Sequence, residues 1–234
     1  MSRRIHPIIT NQVYHVFNKG IAGQPIFSSV YDYQRFFYLI DYYRFSSPDL
    51  RFSFYNRLPV ERKQKFLEEM KMIKTKQVEI YAYCFIPNHY HLLLKEIENN
   101  GIRKFIANLQ NSYAKYFNKK GGRNGSLFQE MFKIVRIEDD EQFVHVARYI
   151  HLNPLTSYII KSANDLERYT WSSYASYLEK AFSDFIDQNT LLNFYKNRED
   201  LKFFTVDQGD YQRKIHNLKH LTLERNYYHT DVPS

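Results

Sequence analysis

Apolar positions in the first 155 residues follow two alternating periods. In QVYHVFN (12–18), Val13, His15 and Phe17 alternate with Tyr14 and Val16, the period-two pattern of a strand buried on both faces. From 32 to 45 the period lengthens, with Phe36, Phe37, Leu39, Ile40 and Tyr43 at helical spacing, Asp32 as candidate N-cap and SSP closing the segment. A polar, lysine-rich stretch at 56–77 places Phe66, Leu67, Met70 and Ile73 at the same spacing, which predicts an exposed, inserted helix. The apolar runs VEIYAYCFI (78–86) and HLLLKEI (91–97), separated by Pro87 and Asn88, predict an antiparallel pair on a tight turn, with His89 and His91 opening the second strand. Residues 101–119 carry Ile102, Phe105, Ile106, Leu109 and Tyr113 on one helical face until GGRNG (121–125) stops them. A strand over 127–137 follows. The last helix starts at the Asp139 cap, with a core stripe of Phe143, Val146, Ala147 and Ile150 and with Pro154 limiting its continuation.

The order strand, helix, strand, strand, helix, strand, helix predicts an α+β fold, a ferredoxin-like or RRM-like antiparallel sheet with helices of the split βαβ kind. Residues 1–155 form this domain, and 156–234, aromatic and near neutral, are expected to be a mostly helical C-terminal extension. With only 7 Gly and 7 Pro in 234 residues, long elements are favoured over a loop-rich sandwich. No segment approaches the roughly 18 apolar residues of a membrane span, and MSRRIHPIIT has no apolar run. The expectation is therefore no membrane partner and a cytoplasmic, nucleoid-associated location. The single cysteine, Cys84, lies in an apolar run and forms no internal disulfide.

Charge divides the chain. Of a net +8, residues 1–155 hold 23 basic against 14 acidic side chains, and the remainder 10 against 11. Between 101 and 136, Arg103, Lys104, Lys115, Lys119, Lys120, Arg123, Lys133 and Arg136 stand against Glu130 alone, interleaved with Tyr113, Tyr116, Phe117, Phe128 and Phe132. Cations for phosphates and flat rings for bases are the ingredients of a groove for a nucleic-acid strand. A solvated helix face over an aromatic core has the same composition.

His89-Tyr90-His91 is the strongest local constellation. Side chains at i and i+2 of a strand share a face, so both imidazoles can converge on one ion while Tyr90 faces the other layer. On the last helix, Gln142, His145, Tyr149 and Asn153 form a stripe beside the core stripe, with a potential nucleophile one turn before an amide. A phenol is a poor nucleophile near pH 7 unless its electrophile is polarised. Two imidazoles and an amide oxygen with open positions suit Mg²⁺ or Mn²⁺ acting on phosphates. Tyr113 and Tyr116, in the basic helix, compete for the nucleophile's role.

Three ordered segments, YAYCFIPNHYHLLL, YFNKKGGRNGSLFQEMFK and ARYIHLNPL, resemble the single-tyrosine transposases of the HUH nuclease superfamily, especially the REP-associated tyrosine transposases. The resemblance covers roughly residues 8–178, including WSSYASYL at 171–178. It implies that His89 and His91 bind a divalent metal, Mg²⁺ or Mn²⁺, with Asn153 as third ligand. It also implies that Tyr149 attacks single-stranded DNA to give a 5′-phosphotyrosine, with the basic residues holding the strand and a nearby hairpin. Tyr90 replaces the hydrophobic residue usual between the two histidines. Whether one chain or two build the site stays open. A sheet-based, non-catalytic single-stranded nucleic-acid-binding protein accounts for charge and aromatics equally well, but not for the histidine pair.

Overall fold

The computed structural model describes residues 7–46, 48–181 and 183–207, and the end of the expected helical extension lies outside the described residues. Strand β1 (Val13–Lys19) leads to helix α1 (Val30–Tyr43), the short α2 (Phe52–Tyr55) and α3 (Val60–Ile73). The hairpin β2 (Val78–Ile86) and β3 (His89–Glu96) precedes α4 (Gly101–Lys120), β4 (Lys133–Arg136) and α5 (Asp140–Thr156). Helices α6 (Tyr174–Tyr177), α7 (Gln188–Leu192) and α8 (Arg198–Val206) follow. The four strands form one antiparallel sheet in the order β2-β3-β1-β4, so the fold is the expected α+β, split-βαβ arrangement.

Strand alternation divides the molecule into two layers. Tyr14, Val16, Tyr90, Leu92 and Leu94 point to α1 and α4; the Tyr90 ring lies 5.0 Å from Phe36, and Gln110 donates to its hydroxyl at 2.9 Å. Helix α5 covers the opposite face, where Phe143 meets Tyr81 edge-on at 5.2 Å. The hydrophobic cluster runs without a break from the sheet into the C-terminal part through Leu166, Tyr174, Tyr177, Leu191 and Leu201.

Several boundaries differ from the sequence expectation. Helix α1 begins at Val30 rather than Asp32, because Asp32 acts from the first turn: its Oδ2 accepts from the Ser28 amide and the Ser29 hydroxyl, each at 3.0 Å. The predicted 56–77 helix shortens to α3, starting after Pro59. Strand β3 starts at His89, as the sequence predicts, and the Pro87-Asn88 turn is tight enough to pair His89 with Ile86.

The predicted 127–137 strand pairs with β1 only over Lys133–Arg136 and by a single bridge from Phe128 to Gly20. Continuing the ladder register would set Gly20 opposite Glu130, so two residues bulge outward at the exposed Glu130 and Met131. The Asn18 amide fills the gap by donating to the Gln129 carbonyl at 3.2 Å. Helix α5 does not stop at Pro154 but runs to Thr156. A proline in the last turn removes only one ladder donor, and the unbroken burial from Tyr149 to Pro154 offsets that loss.

Candidate active site

The His pair sits where three elements meet on the α5 face of the sheet. Alternation sends His89 and His91 to one side of β3, and the β1 register sets Lys19 opposite His89 and Phe17 opposite His91. His91 is 3% exposed and is enclosed by His15 (ring centroids 5.1 Å apart), Phe17 (5.4 Å) and the edge of Tyr149 (5.5 Å). His15 Nε2 lies 2.9 Å from His91 Nδ1, and the Tyr149 ring lies 5.9 Å from His15. The other nitrogen of His91, Nε2, is buried and has no hydrogen-bond partner among the described residues. His89 makes the matching contact, Nδ1 to Asn88 Oδ1 at 2.8 Å, and Asn153 hydrogen-bonds its ring.

Helix α5 delivers Tyr149 and Asn153 to this point. Its N-terminus is fixed by Asp139, whose Oδ1 accepts from the Gln142 amide at 2.7 Å. Four residues separate Tyr149 from Asn153, a little over one turn, so both reach the same side, and both are buried. The rest of the predicted stripe does other work. Gln142 accepts from the Glu138 amide at 3.0 Å, and His145 packs on Phe204 of α8 at 5.2 Å.

The neighbouring Arg148 stacks on Phe204 (4.8 Å) and donates to the Thr205 and Asp207 carbonyls, fastening α8 to α5. His151 is structural: its Nε2 meets the Ser173 hydroxyl at 2.9 Å, and its ring packs against Tyr174 and Tyr177.

Burial decides the protonation of the imidazoles. Desolvation pushes His89 down to about 4, opposed by the Asn153 hydrogen bond and assisted by the charge of Lys19. Burial, with the adjacent His89 and His15, holds His91 well below the ordinary histidine value. Both rings are therefore neutral at pH 7, the state in which histidine ligates metal. Among the described residues no group of three or more His, Cys, Asp or Glu side chains could hold a metal ion.

The competing tyrosines lie on the other face of the sheet from the histidine pair. Tyr113 is fully buried against α1 and donates its hydroxyl to the Ile26 carbonyl at 2.5 Å, while burial lifts its pKa far above the phenol range. Tyr116 donates to Asp32 at 3.0 Å, and burial and that bond push it up to about 12.

The eight predicted basic residues do not form one surface. Lys115, Lys119 and Lys120 line a groove on the α1/α4 side, while Arg103 and Lys104 stand exposed near the start of α4. Arg123 donates to Gln24 at 3.2 Å and Arg136 to Gln12 at 2.9 Å. Lys133 pairs with Phe17 and so faces the histidines.

Residues 51–153, a little under half of the chain, match the model of the family described as "Transposase IS200 like". That stretch is therefore similar to the IS200-like transposases. The matched stretch contains His89, His91, Tyr149 and Asn153, whereas β1, with His15 and Lys19, precedes it. A solved structure of the REP-associated tyrosine transposase bound to a REP hairpin is similar at a TM-score of 0.48 and 14% identity, covering 80% of this chain and 94% of that one. No curated protein sequence matches.

Sequence reasoning missed His15 and Lys19. Val13, His15 and Phe17 read as one face of a strand, and nothing in the spacing said that this face meets a histidine 76 positions away.

Proposed function

We propose that this chain cleaves and rejoins single-stranded DNA with Tyr149 as nucleophile. The observation that carries the reading is the juxtaposition of the Tyr149 ring with a buried, neutral His91 whose Nε2 has no partner, beside a second histidine bonded by Asn153. An imidazole nitrogen kept dry without a partner costs free energy that a bound cation would recover.

The residues fit such a cation. If Nδ1 of each ring keeps its proton, His89 donates to Asn88 Oδ1 and His91 to His15 Nε2, and each Nε2 keeps a lone pair. Mg²⁺ or Mn²⁺ held by His89, His91 and the Asn153 oxygen would withdraw charge from a scissile phosphate.

Tyr149 then forms the phenolic O–P bond as the P–O3′ bond breaks. The phenol gives up its proton, the departing 3′ oxygen takes one up, and the 5′ phosphate stays on the enzyme. Attack by a free 3′-hydroxyl on that link reverses the step, so cutting and joining use the same groups. Lys19 and Lys133, on this face of the sheet, supply positive charge to the approaching backbone. A hairpin next to the cleaved strand belongs to the same reading, as the resemblance of the motifs implies.

The test is incubation with a labelled single-stranded oligonucleotide and Mn²⁺. A denaturant-resistant adduct that disappears in Tyr149→Phe is expected. No adduct with the parent chain, or an adduct undiminished in Tyr149→Phe, refutes the assignment. Binding without any adduct is the outcome for a non-catalytic strand-binding protein.

A further inference from the structure

Helix α5 ends, just beyond Asn153, in a turn whose sequence does not suit its shape. The Tyr158 amide donates to the Leu155 carbonyl at 3.1 Å, and the Ile159 amide donates to the Pro154 carbonyl at 2.9 Å. This pair of bonds closes a helix through one left-handed residue, a place usually taken by glycine and sometimes by asparagine. Here a tyrosine takes it, at φ 56°. A Cβ in that region crowds the following carbonyl oxygen, so the residue is held against its backbone preference.

Folding gains little from the ring in return. Tyr158 is 92% exposed, the most exposed large hydrophobic side chain among the described residues. The other described non-glycine residues with positive φ are Asn11, Ala22, Asn100 and Glu179, and none is aromatic. A strained backbone that displays an unburied ring is an outlier from which a role outside folding is inferred.

The turn is tied to the candidate active site. The Asn153 carbonyl accepts from the Ser157 amide at 2.9 Å and from the Thr156 hydroxyl at 3.2 Å, while the Asn153 side chain bonds the His89 ring. Five residues separate Asn153 from Tyr158, about 7 Å along the helix axis, or one to two nucleotide steps at roughly 3.4 Å or more each. Lys161, three residues further on, is exposed and makes no ion pair among the described residues. A flat exposed face followed by a cation matches an unpaired base and its phosphate.

We propose that Tyr158 is a base-stacking residue at the edge of the cleavage site. It takes the face of one unpaired base close to the phosphate that Tyr149 attacks, and so sets which phosphate of the strand comes to rest at the histidines. The proposal rests on the reading that the chain cleaves single-stranded DNA and adds to it the residue that fixes the register of the strand.

The experiment walks one abasic nucleotide along a single-stranded oligonucleotide. Binding is measured in EDTA, where no cleavage intervenes, for the full-length parent, Tyr158→Gly and Tyr158→Phe. Tyr158→Gly should bind the intact oligonucleotide about 5- to 100-fold more weakly, the usual effect of losing one stacked base. At one position, within two nucleotides of the cut mapped from the Mn²⁺ adduct, removing the base should weaken the parent by a similar factor and Tyr158→Gly no further. Tyr158→Phe keeps the face and should stay within about twofold of the parent. Glycine suits the left-handed turn, so the denaturation midpoint of Tyr158→Gly should equal or exceed the parent's, which separates loss of the ring from loss of the fold.

Unchanged binding by Tyr158→Gly, or losses that add at every abasic position, would overturn the proposal. A lower midpoint in Tyr158→Gly would also overturn it, assigning the ring to the fold. A base position coupled to Tyr158 in a chain that forms no adduct would sustain the stacking and refute the cleavage reading. An adduct formed by the parent, with no coupled position, would do the reverse.

Discussion

His15 shows how a single contact can govern a site without touching the reacting atoms. Its Nε2, 2.9 Å from His91 Nδ1, can fix the tautomer and plane of the His91 ring, and outer contacts of this kind typically change metal affinity 10- to 100-fold. Calorimetric titration with Mn²⁺ should therefore show His15→Leu binding at least tenfold more weakly than the parent. Equal affinity would mean that the Phe17 and Tyr149 rings alone hold His91 in place. His89→Ala and His91→Ala should abolish Mn²⁺-dependent adduct formation while leaving oligonucleotide affinity within about twofold, since the anchoring cations lie elsewhere; adduct formation at the parent's rate by either would dismiss the metal site. The pair His89 and His91 was legible in the sequence because i, i+2 on a strand has only one meaning for side-chain direction. His15 was not, because cross-strand register is written in no local pattern.

At the scale of elements, residues 169–181 and 183–187 close the open edge of β2. The Trp171 carbonyl accepts from the Phe85 amide (2.9 Å), Ser173 exchanges bonds with both backbone groups of Tyr83, and the Ile80 carbonyl accepts from the Asp187 amide (2.9 Å). Tyr177 reaches across to the Tyr81 carbonyl at 2.6 Å. An uncovered edge of apolar strand is a template for self-association, so this strap protects the sheet as well as stabilising it.

Ser173→Ala strands the Tyr83 amide and His151 Nε2 in a dry interior, at a cost of about 2 kcal/mol or more, read as a lower denaturant midpoint; an unchanged midpoint would show that the strap holds without it. Helix α4 has a comparable dependence. Its N-terminus is capped from the preceding strand, by the buried Glu96 carboxylate accepting from the Asn100 and Ile102 amides at 2.9 and 3.0 Å. Gly101 is needed there because a Cβ would sit 2.2 Å from the Gln77 carbonyl. Glu96→Gln should cost about 1–2 kcal/mol in chemical denaturation, and parity with the parent would assign the helix start to packing alone.

The hairpin 78–96 could be read from the chain because two apolar runs flank a Pro-Asn turn. The outward bulge at Glu130–Met131 could not, since polar residues there fit a solvent-facing strand equally well.

For the whole molecule, pH is a sensitive variable because three buried imidazoles share one direction of shift. His91 lies well below its ordinary value, His89 is near 4 and His151 near 3, each chiefly through burial. Between about pH 6.5 and pH 4 the unfolded chain takes up protons there that the folded one refuses, so stability is complete above 6.5 and falls as the solution is acidified, by up to about 1.4 kcal/mol per pH unit per group. Denaturation midpoints should drop clearly from pH 7.5 to pH 5; a flat profile would place these rings in contact with water. No described helix is long and apolar enough to cross a membrane.

The strap along β2 has a consequence for the sheet as a whole. With that margin occupied, β4 is the outer strand on the other side, and it pairs over only four residues, Lys133–Arg136. Sheets fuse edge to edge only along a free strand, so the fold offers a neighbouring chain a short, charged margin and insulates itself against growth into a ribbon.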